Sequence, residues 1–288
     1  MRLLLAHRLA EQGIARDDKD AAALIMSGRV YVNGQRARAG QRVKPQDSIQ
    51  VRGLSERYVS KGGLKLEGAL SDFGLSPRGR VCIDAGASTG GFTHCLLTHG
   101  AQAVYAVDVG YGQLTGSLRQ NPRVINMERT NIGDDALRTL DPVPDLGTCD
   151  LSYLSLRKGV PLFGRAMQET GDLICLVKPL FEVDSAQARQ SGTLRDDAYA
   201  PLLRQLMDDL NALPGTGVQQ LTHSPVTGNA GTREFFLHIR FGGEAPPPVT
   251  QGEIDACVAR ALAVDPYRRP GLEEAPSLTN QPEEDAHV

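Results

Sequence analysis

The chain has 288 residues, a length suited to two domains, and its 41% hydrophobic content is enough for ordinary packed cores. No apolar run approaches the ~20 residues needed to span a bilayer. The opening MRLLLAHRLAEQG is interrupted by His7, Arg8 and Glu11 where a signal peptide would stay apolar, and the five scattered cysteines have no metal-ligand spacing. A soluble cytoplasmic protein without a metal or membrane partner is expected, with its thiols reduced.

The net charge of −3 averages over unlike parts. Residues 1–80 hold 15 Lys and Arg against 8 Asp and Glu, whereas residues 244–288 hold 3 against 9. A basic N-terminal segment on an otherwise acidic chain points to a polyanion-binding module, although a solvated helix face would look the same.

In chain order, Leu3, Leu4, Leu5, Leu9 and Ile14 form a helical stripe and Ala21 to Met26 a second, closed by Gly28. RVYVNG then alternates into a hairpin turn at Asn33–Gly34, and DSIQVR supplies a further strand. The exposed side of this small sheet would carry Arg29, Arg36, Arg38, Arg42 and Lys44, the candidate RNA-binding residues. The run AAALIMSGRVYVNGQRARAGQRVKPQDSIQV resembles the RNA-binding domain first described in ribosomal protein S-four. That resemblance implies two helices on a small sheet that grips RNA by shape and phosphate contacts. The acid-rich RDDKDAA, where many such domains are basic, should weaken or redirect those contacts.

LSERYVSKGGLKLEGALSDFG follows, with a tight turn at Gly62–Gly63 and helical spacing of Leu66, Ala69, Leu70 and Phe73. From Arg80, seven strand candidates alternate with helices: VCIDAG, AVYAVDV, RVINMER, DLGTCDL, DLICLVK, VQQLTHS and EFFLHIRF. The expected fold is α/β, a Rossmann-like doubly wound seven-stranded parallel sheet preceded by a small α+β domain. The expected boundaries are 1–58, 59–243 and an acidic, partly disordered tail at 244–288 in which a helix near Gly252–Val264 is open. Ligands of such sheets bind beyond the strands' carboxyl ends.

VCIDAGASTGGFT contains the first strand and its turn, where Gly86, Gly90 and Gly91 let backbone approach a ligand. The spacing is not GxGxxG and no Lys-Ser or Lys-Thr follows, which disfavours phosphate cradling. Asp108 ends the second strand, where a carboxylate can accept both ribose hydroxyls of an adenosine. DxGxxxGG with that later acid is the pattern of S-adenosylmethionine enzymes, with a dehydrogenase as the competing reading. The cofactor-binding set is Asp84, Gly86, Ala87, Ser88, Gly90, Gly91, Phe92, Asp108, Val109, Asn131 and Asp150.

DAGASTGGFTHCLLTHGAQAVYAVDVGYGQL, with ERTNI, LVKP and GTREFFLHI, resembles the haemolysin A (TlyA) family of ribosomal RNA 2'-O-methyltransferases, over about residues 1–242. That family's catalytic domain is similar to FtsJ RNA methyltransferases. The resemblance implies S-adenosylmethionine as cofactor, ribosomal RNA or a ribosomal subunit as partner, and methylation of a ribose 2'-hydroxyl. Such a hydroxyl needs a base, and a lysine serves only when neutral, so burial or a neighbouring cation must lower its pKa. By resemblance Lys178 is that base, Lys65 tunes it, Asp150 orients it and borders the methyl group, and Glu234 holds the ribose or Lys65. Lys61 rivals Lys65 and Glu182 is a rival carboxylate. His94, His99 and His223 read as surface or capping residues. A membrane-active haemolysin and a catalytically silent RNA-binding protein are the alternatives.

Overall fold

The computed structural model describes residues 3–11, 18–26, 28, 30–33, 35–44, 47, 49–51, 58–152, 154–183, 192, 194–228, 231–243 and 247–265. Two compact units divide between Ser55 and Glu56.

In the first unit, β1 (Leu3–Leu4) leads into α1 (Leu5–Glu11), followed by α2 (Asp18–Met26), β2 (Val30–Val32), β3 (Gln35–Arg36), β4 (Arg42–Val43) and β5 (Ile49–Val51). Leu3 and Leu4 are strand, not the start of the leucine helix, because they pair with Val43 and Arg42. Ile14 of the expected stripe lies outside the described residues. Leu5, Leu9, Ala21, Ile25, Val30, Val32 and Val43 make one small core. The order β3-β2-β5 is antiparallel, with Asn33 at φ 49° in the hairpin turn. Arg36, Arg38, Arg42 and Lys44 are exposed, whereas Arg29 and Gly34 lie outside the described residues.

The second unit comprises α3 (Lys61–Phe73), β6 (Val81–Ala85), α4 (Gly91–Thr98), β7 (Ala103–Asp108), α5 (Gly116–Arg119), β8 (Val124–Glu128) and β9 (Leu146–Cys149). It continues with α6 (Leu156–Ala166), β10 (Gly171–Val177), α7 (Pro179–Glu182), α8 (Tyr199–Asn211), β11 (Thr216–His223), β12 (Phe235–Phe241) and α9 (Gln251–Ala263). All seven expected strands form one sheet in the order β11-β12-β10-β9-β6-β7-β8. The sheet is mixed instead of parallel, because β12 runs antiparallel to both β10 and β11. Among the described residues no α-helix separates β11 from β12, so no helical crossover carries the chain back to the starting edge.

Alternation along the strands divides the core between two faces. Cys82, Val104, Leu146, Ile174, Leu176 and Phe236 pack under Leu66, Ala69, Leu70 and Phe73 of α3 and Phe92 and Leu96 of α4. Ile83, Val107, Cys175, Phe235 and Leu237 pack on Val160 and Phe163 of α6, Leu203 and Leu206 of α8, and Ile254 and Val258 of α9. Helices on both faces are why the central strands read as unbroken apolar runs. Helix α9 starts in a Thr250–Glu253 capping box and adds to this core, beyond the expected domain end at 243. Residues 266–288 of the expected tail lie outside the described residues. The five cysteines are buried free thiols. Among the described residues no helix is long and apolar enough to cross a membrane, and no group of three or more His, Cys, Asp or Glu could hold a metal.

Candidate active site

The strand order reverses between β6 and β9, and the chain opens a crevice there. After β6, Gly86 adopts φ +85°, and a Cβ on it would collide with the Asp150 carbonyl. Its amide and that of Ala87 donate to the Val107 carbonyl at 2.9 and 3.1 Å. Gly91 opens α4 against the start of α3, where a Cβ would strike the Ser60 hydroxyl. Glycine is thus required by close packing on both sides of the turn.

Asp108, at the end of β7, accepts the Ser88 amide at 2.8 Å and the Gly110 amide at 2.6 Å. Those bonds hold the carboxylate half-exposed beside the turn, with acceptor positions left over. Asp84 behaves differently from the expectation that it binds cofactor. It is fully buried, accepts the Thr93 and Thr148 hydroxyls at 2.6 and 2.9 Å, and burial pushes its pKa up to about 6. Asp84 therefore ties β6, β9 and α4 together underneath the turn.

Two lysine–carboxylate pairs line a cavity of about 810 Å³ with Gly86, Ala87, Ser88, Gly91 and Phe92. Asp150 follows β9 and Lys178 follows β10, and the lysine nitrogen stands 2.5 Å from the carboxylate. Lys178 also donates to Ser152 Oγ at 3.2 Å and to the Leu151 carbonyl at 3.4 Å. Lys65, in the second turn of α3, pairs with Glu234, which precedes β12. This second pair is deeper: its side chains are 7% and 6% exposed, against 21% and 27% for Lys178 and Asp150. Gly228 leaves room for it, since a Cβ there would meet the Glu234 carboxylate.

Lys61, one turn before Lys65, lines the same cavity and donates to the Thr227 carbonyl at 3.4 Å. Burial, then the Lys65 charge, lowers its pKa. Glu182, the rival carboxylate, accepts the Ser155 hydroxyl at 2.7 Å and the Leu156 amide at 2.8 Å, so it caps α6. The four expected catalytic residues are together. Of the expected cofactor set, Asp84, Gly90, Asp108, Val109 and Asn131 do not line the cavity. Gly90 packs against Leu118. Asp108, Val109 and Asn131 sit at the open tips of β7 and β8, and Asn131 Oδ1 accepts the Gly133 amide at 2.9 Å. Sequence reasoning missed Ser60, Phe181, Leu194, Asp196, Tyr199, Arg233 and Leu262 of the lining. Only Phe181, just beyond the strand-ending Lys178–Pro179, carried a signal in the sequence.

The FtsJ-like methyltransferase model matches residues 58–241, and the S4 domain model matches residues 8–49. The chain is 39% identical over 237 residues to the 16S/23S rRNA (cytidine-2'-O)-methyltransferase TlyA of Mycobacterium tuberculosis, covering 81% of this chain and 87% of that one. It is 35% identical over 234 residues to Hemolysin A of Brachyspira hyodysenteriae, covering 79% and 95%. Among solved structures, a Streptococcus thermophilus protein described as a hemolysin is 32% identical with a TM-score of 0.66, over 91% of this chain and 96% of that one.

Proposed function

Since the chain belongs to the FtsJ-like methyltransferase family, we propose that it transfers a methyl group from S-adenosylmethionine to a ribose 2'-hydroxyl of ribosomal RNA. The observation that carries this reading is the Lys178–Asp150 pair at the tips of adjacent strands, with Lys65–Glu234 in the same cavity. The cradle suits the cofactor: close-packed glycines at the turn, and the Asp108 carboxylate beside it for the adenosine ribose. When bound, the cofactor supplies an electrophilic methyl on a sulfonium.

The residues of the chain supply the rest. Asp150 draws the Lys178 nitrogen to one side of the cavity, and the Ser152 hydroxyl and Leu151 carbonyl fix it there. In its neutral form Lys178 would take the 2'-hydroxyl proton, freeing the oxygen to accept the methyl group that the bound cofactor would supply. Lys65 lines the same cavity, and Glu234 holds it in register for the sugar. Exposed Arg36, Arg38, Arg42 and Lys44 on the S4 unit supply phosphate contacts, which position RNA without reading its sequence.

The test is labelled-methyl transfer to the RNA of each ribosomal subunit, followed by mapping of the modified nucleotide. Lys178→Ala is expected to lower turnover at least about 100-fold while the cofactor still binds. Undiminished turnover of that variant would remove Lys178 as the base, and transfer to a base nitrogen or carbon would overturn the ribose assignment.

A further inference from the structure

Lys61 is the first residue of α3, and Ser60, Lys61 and Gly62 all line the cavity. Lys65 follows four residues later on the same helix face, so the helix itself brings two lysines to one side of the pocket. Like charges at that spacing repel. The repulsion is felt at Lys61: burial lowers its pKa first, the Lys65 charge lowers it further, and the Glu234 and Asp150 carboxylates oppose both. Lys61 therefore stands within electrostatic reach of both lysine–carboxylate pairs. Its nitrogen donates to the Thr227 carbonyl at 3.4 Å, in the segment between β11 and Glu234 where Gly228 leaves room for the Glu234 carboxylate. An ammonium carries three donors, so that bond orients the group without exhausting it. Lys65 is buried with Glu234, whereas Lys61 is half-buried and open to the cavity.

We propose that Lys61 is a positioning residue, which binds the phosphate 3' to the target ribose and so sets the 2'-hydroxyl against Lys178. The inference rests on the ribose-methylation reading. The 3'-phosphate hangs from the sugar carbon next to the one that bears the 2'-hydroxyl, so a pocket that admits this hydroxyl admits the phosphate with it. A phosphodiester brings a negative charge to two neighbouring lysines, offsets their repulsion and keeps Lys61 protonated. The amino end of α3 adds its partial positive charge at the same place. A contact of this kind carries no sequence information. Its work is orientation, because the hydroxyl reacts only when held in line with the methyl group. The Thr227 anchor puts Lys61 beside the Lys65–Glu234 pair, on the sugar side of the pocket, whereas the cofactor ribose belongs at Asp108 on the tip of β7.

Once the methylated nucleotide is mapped, the full chain is assayed on two RNAs, one native and one with a neutral methylphosphonate at the linkage 3' to that nucleotide. Wild type is expected to lose kcat/KM by about 10- to 100-fold on the methylphosphonate. Lys61→Met and Lys61→Gln should lose as much on native RNA and little more on the methylphosphonate, with an unchanged dissociation constant for S-adenosylmethionine. Lys61→Arg keeps a cation and should stay sensitive to the linkage. A mere tether between α3 and Thr227 would not respond to the phosphate charge. A methylphosphonate penalty equally large in wild type and in both neutral variants would therefore overturn the proposal, as would wild-type indifference to the linkage. Weakened cofactor binding in the neutral variants would overturn it too, by assigning the charge to the cofactor's carboxylate. Each of these results leaves ribose methylation standing, whereas a wild-type chain that methylates no RNA at all would sink the methyltransferase reading itself.

Discussion

The seven-stranded sheet carries charged clusters at both of its ends. Toward the amino ends of the strands, Arg80 reaches Asp172 at 2.9 Å, and His238 reaches the other oxygen of the same carboxylate at 2.9 Å. Gln220 contacts the second ring nitrogen of His238 at 3.3 Å. At the carboxyl ends, Lys65–Glu234 and Lys178–Asp150 face the cavity. The Asp172 side chain, 11% exposed, is nearly as deep as the Lys65 pair, so depth does not separate the two ends. The openness of the partners does. Both carboxylate oxygens of Asp172 are claimed by Arg80 and His238, whereas Lys178 keeps a fifth of its surface toward a space where substrate can displace its contacts. Buried charge marks function only when it borders room for a ligand.

Substitutions at three places test that contrast, from the largest effect to the smallest. Lys65→Met leaves Glu234 as an uncompensated buried carboxylate and should cost about 3–5 kcal/mol in urea unfolding. Adding Glu234→Leu should recover most of that stability without recovering methyl transfer. Recovery of both would mean the pair is scaffold only, like the amino-end cluster.

Next comes Asp84, whose pKa in the fold is raised to about 6. The folded state then binds more protons than the unfolded chain between pH about 4 and 6, so stability should fall as pH rises through that window. The total is on the order of 3 kcal/mol, and Asp84→Asn should flatten the slope. A wild-type stability that is level from pH 4 to 6 would refute the assignment.

Asp172 has the opposite sign. Its hydrogen bond from His238, and then Arg80, hold its pKa down to about 2. The stability it contributes is present above the ordinary carboxylate range and is lost as pH falls from about 4 toward 2. Asp172→Asn should reduce that acid-limb loss while leaving methyl-transfer kinetics at neutral pH unchanged. A changed KM for RNA would break the contrast between the two ends.

The strands were legible because each is a short apolar run bounded by glycine, proline or charge, and all seven formed. The direction of β12 was not read, although the signal was present: no helix-length segment lies between VQQLTHS and EFFLHIRF. Lys178 and Asp150 were legible because a lysine or acid at the tip of an apolar strand is costly to place anywhere but beside a site, whereas Lys65, on a helix, and Glu234 were singled out by family resemblance. Asp84 was misread because a motif names residue types but not which side of the strand they face. Its neighbours Ile83 and Ala85 pack in one core, and Asp84 points with Cys82 to the other side, where Thr93 meets it. The rest of the cavity lining was invisible for a different reason. Tyr199, Arg233 and Leu262 are scattered along the chain and carry no local pattern, and only the packing of α8 and α9 on the sheet brings them to one wall with Phe181.

Lys65 and Glu234 are 169 residues apart in the chain. A ribosome making this protein therefore releases α3 long before its countercharge exists. Until β12 docks between β10 and β11, seating Lys65 would strand an ammonium in the interior at a cost of several kcal/mol. A chain ending before β12 therefore lacks the carboxylate that Lys65 pairs with in the closed pocket.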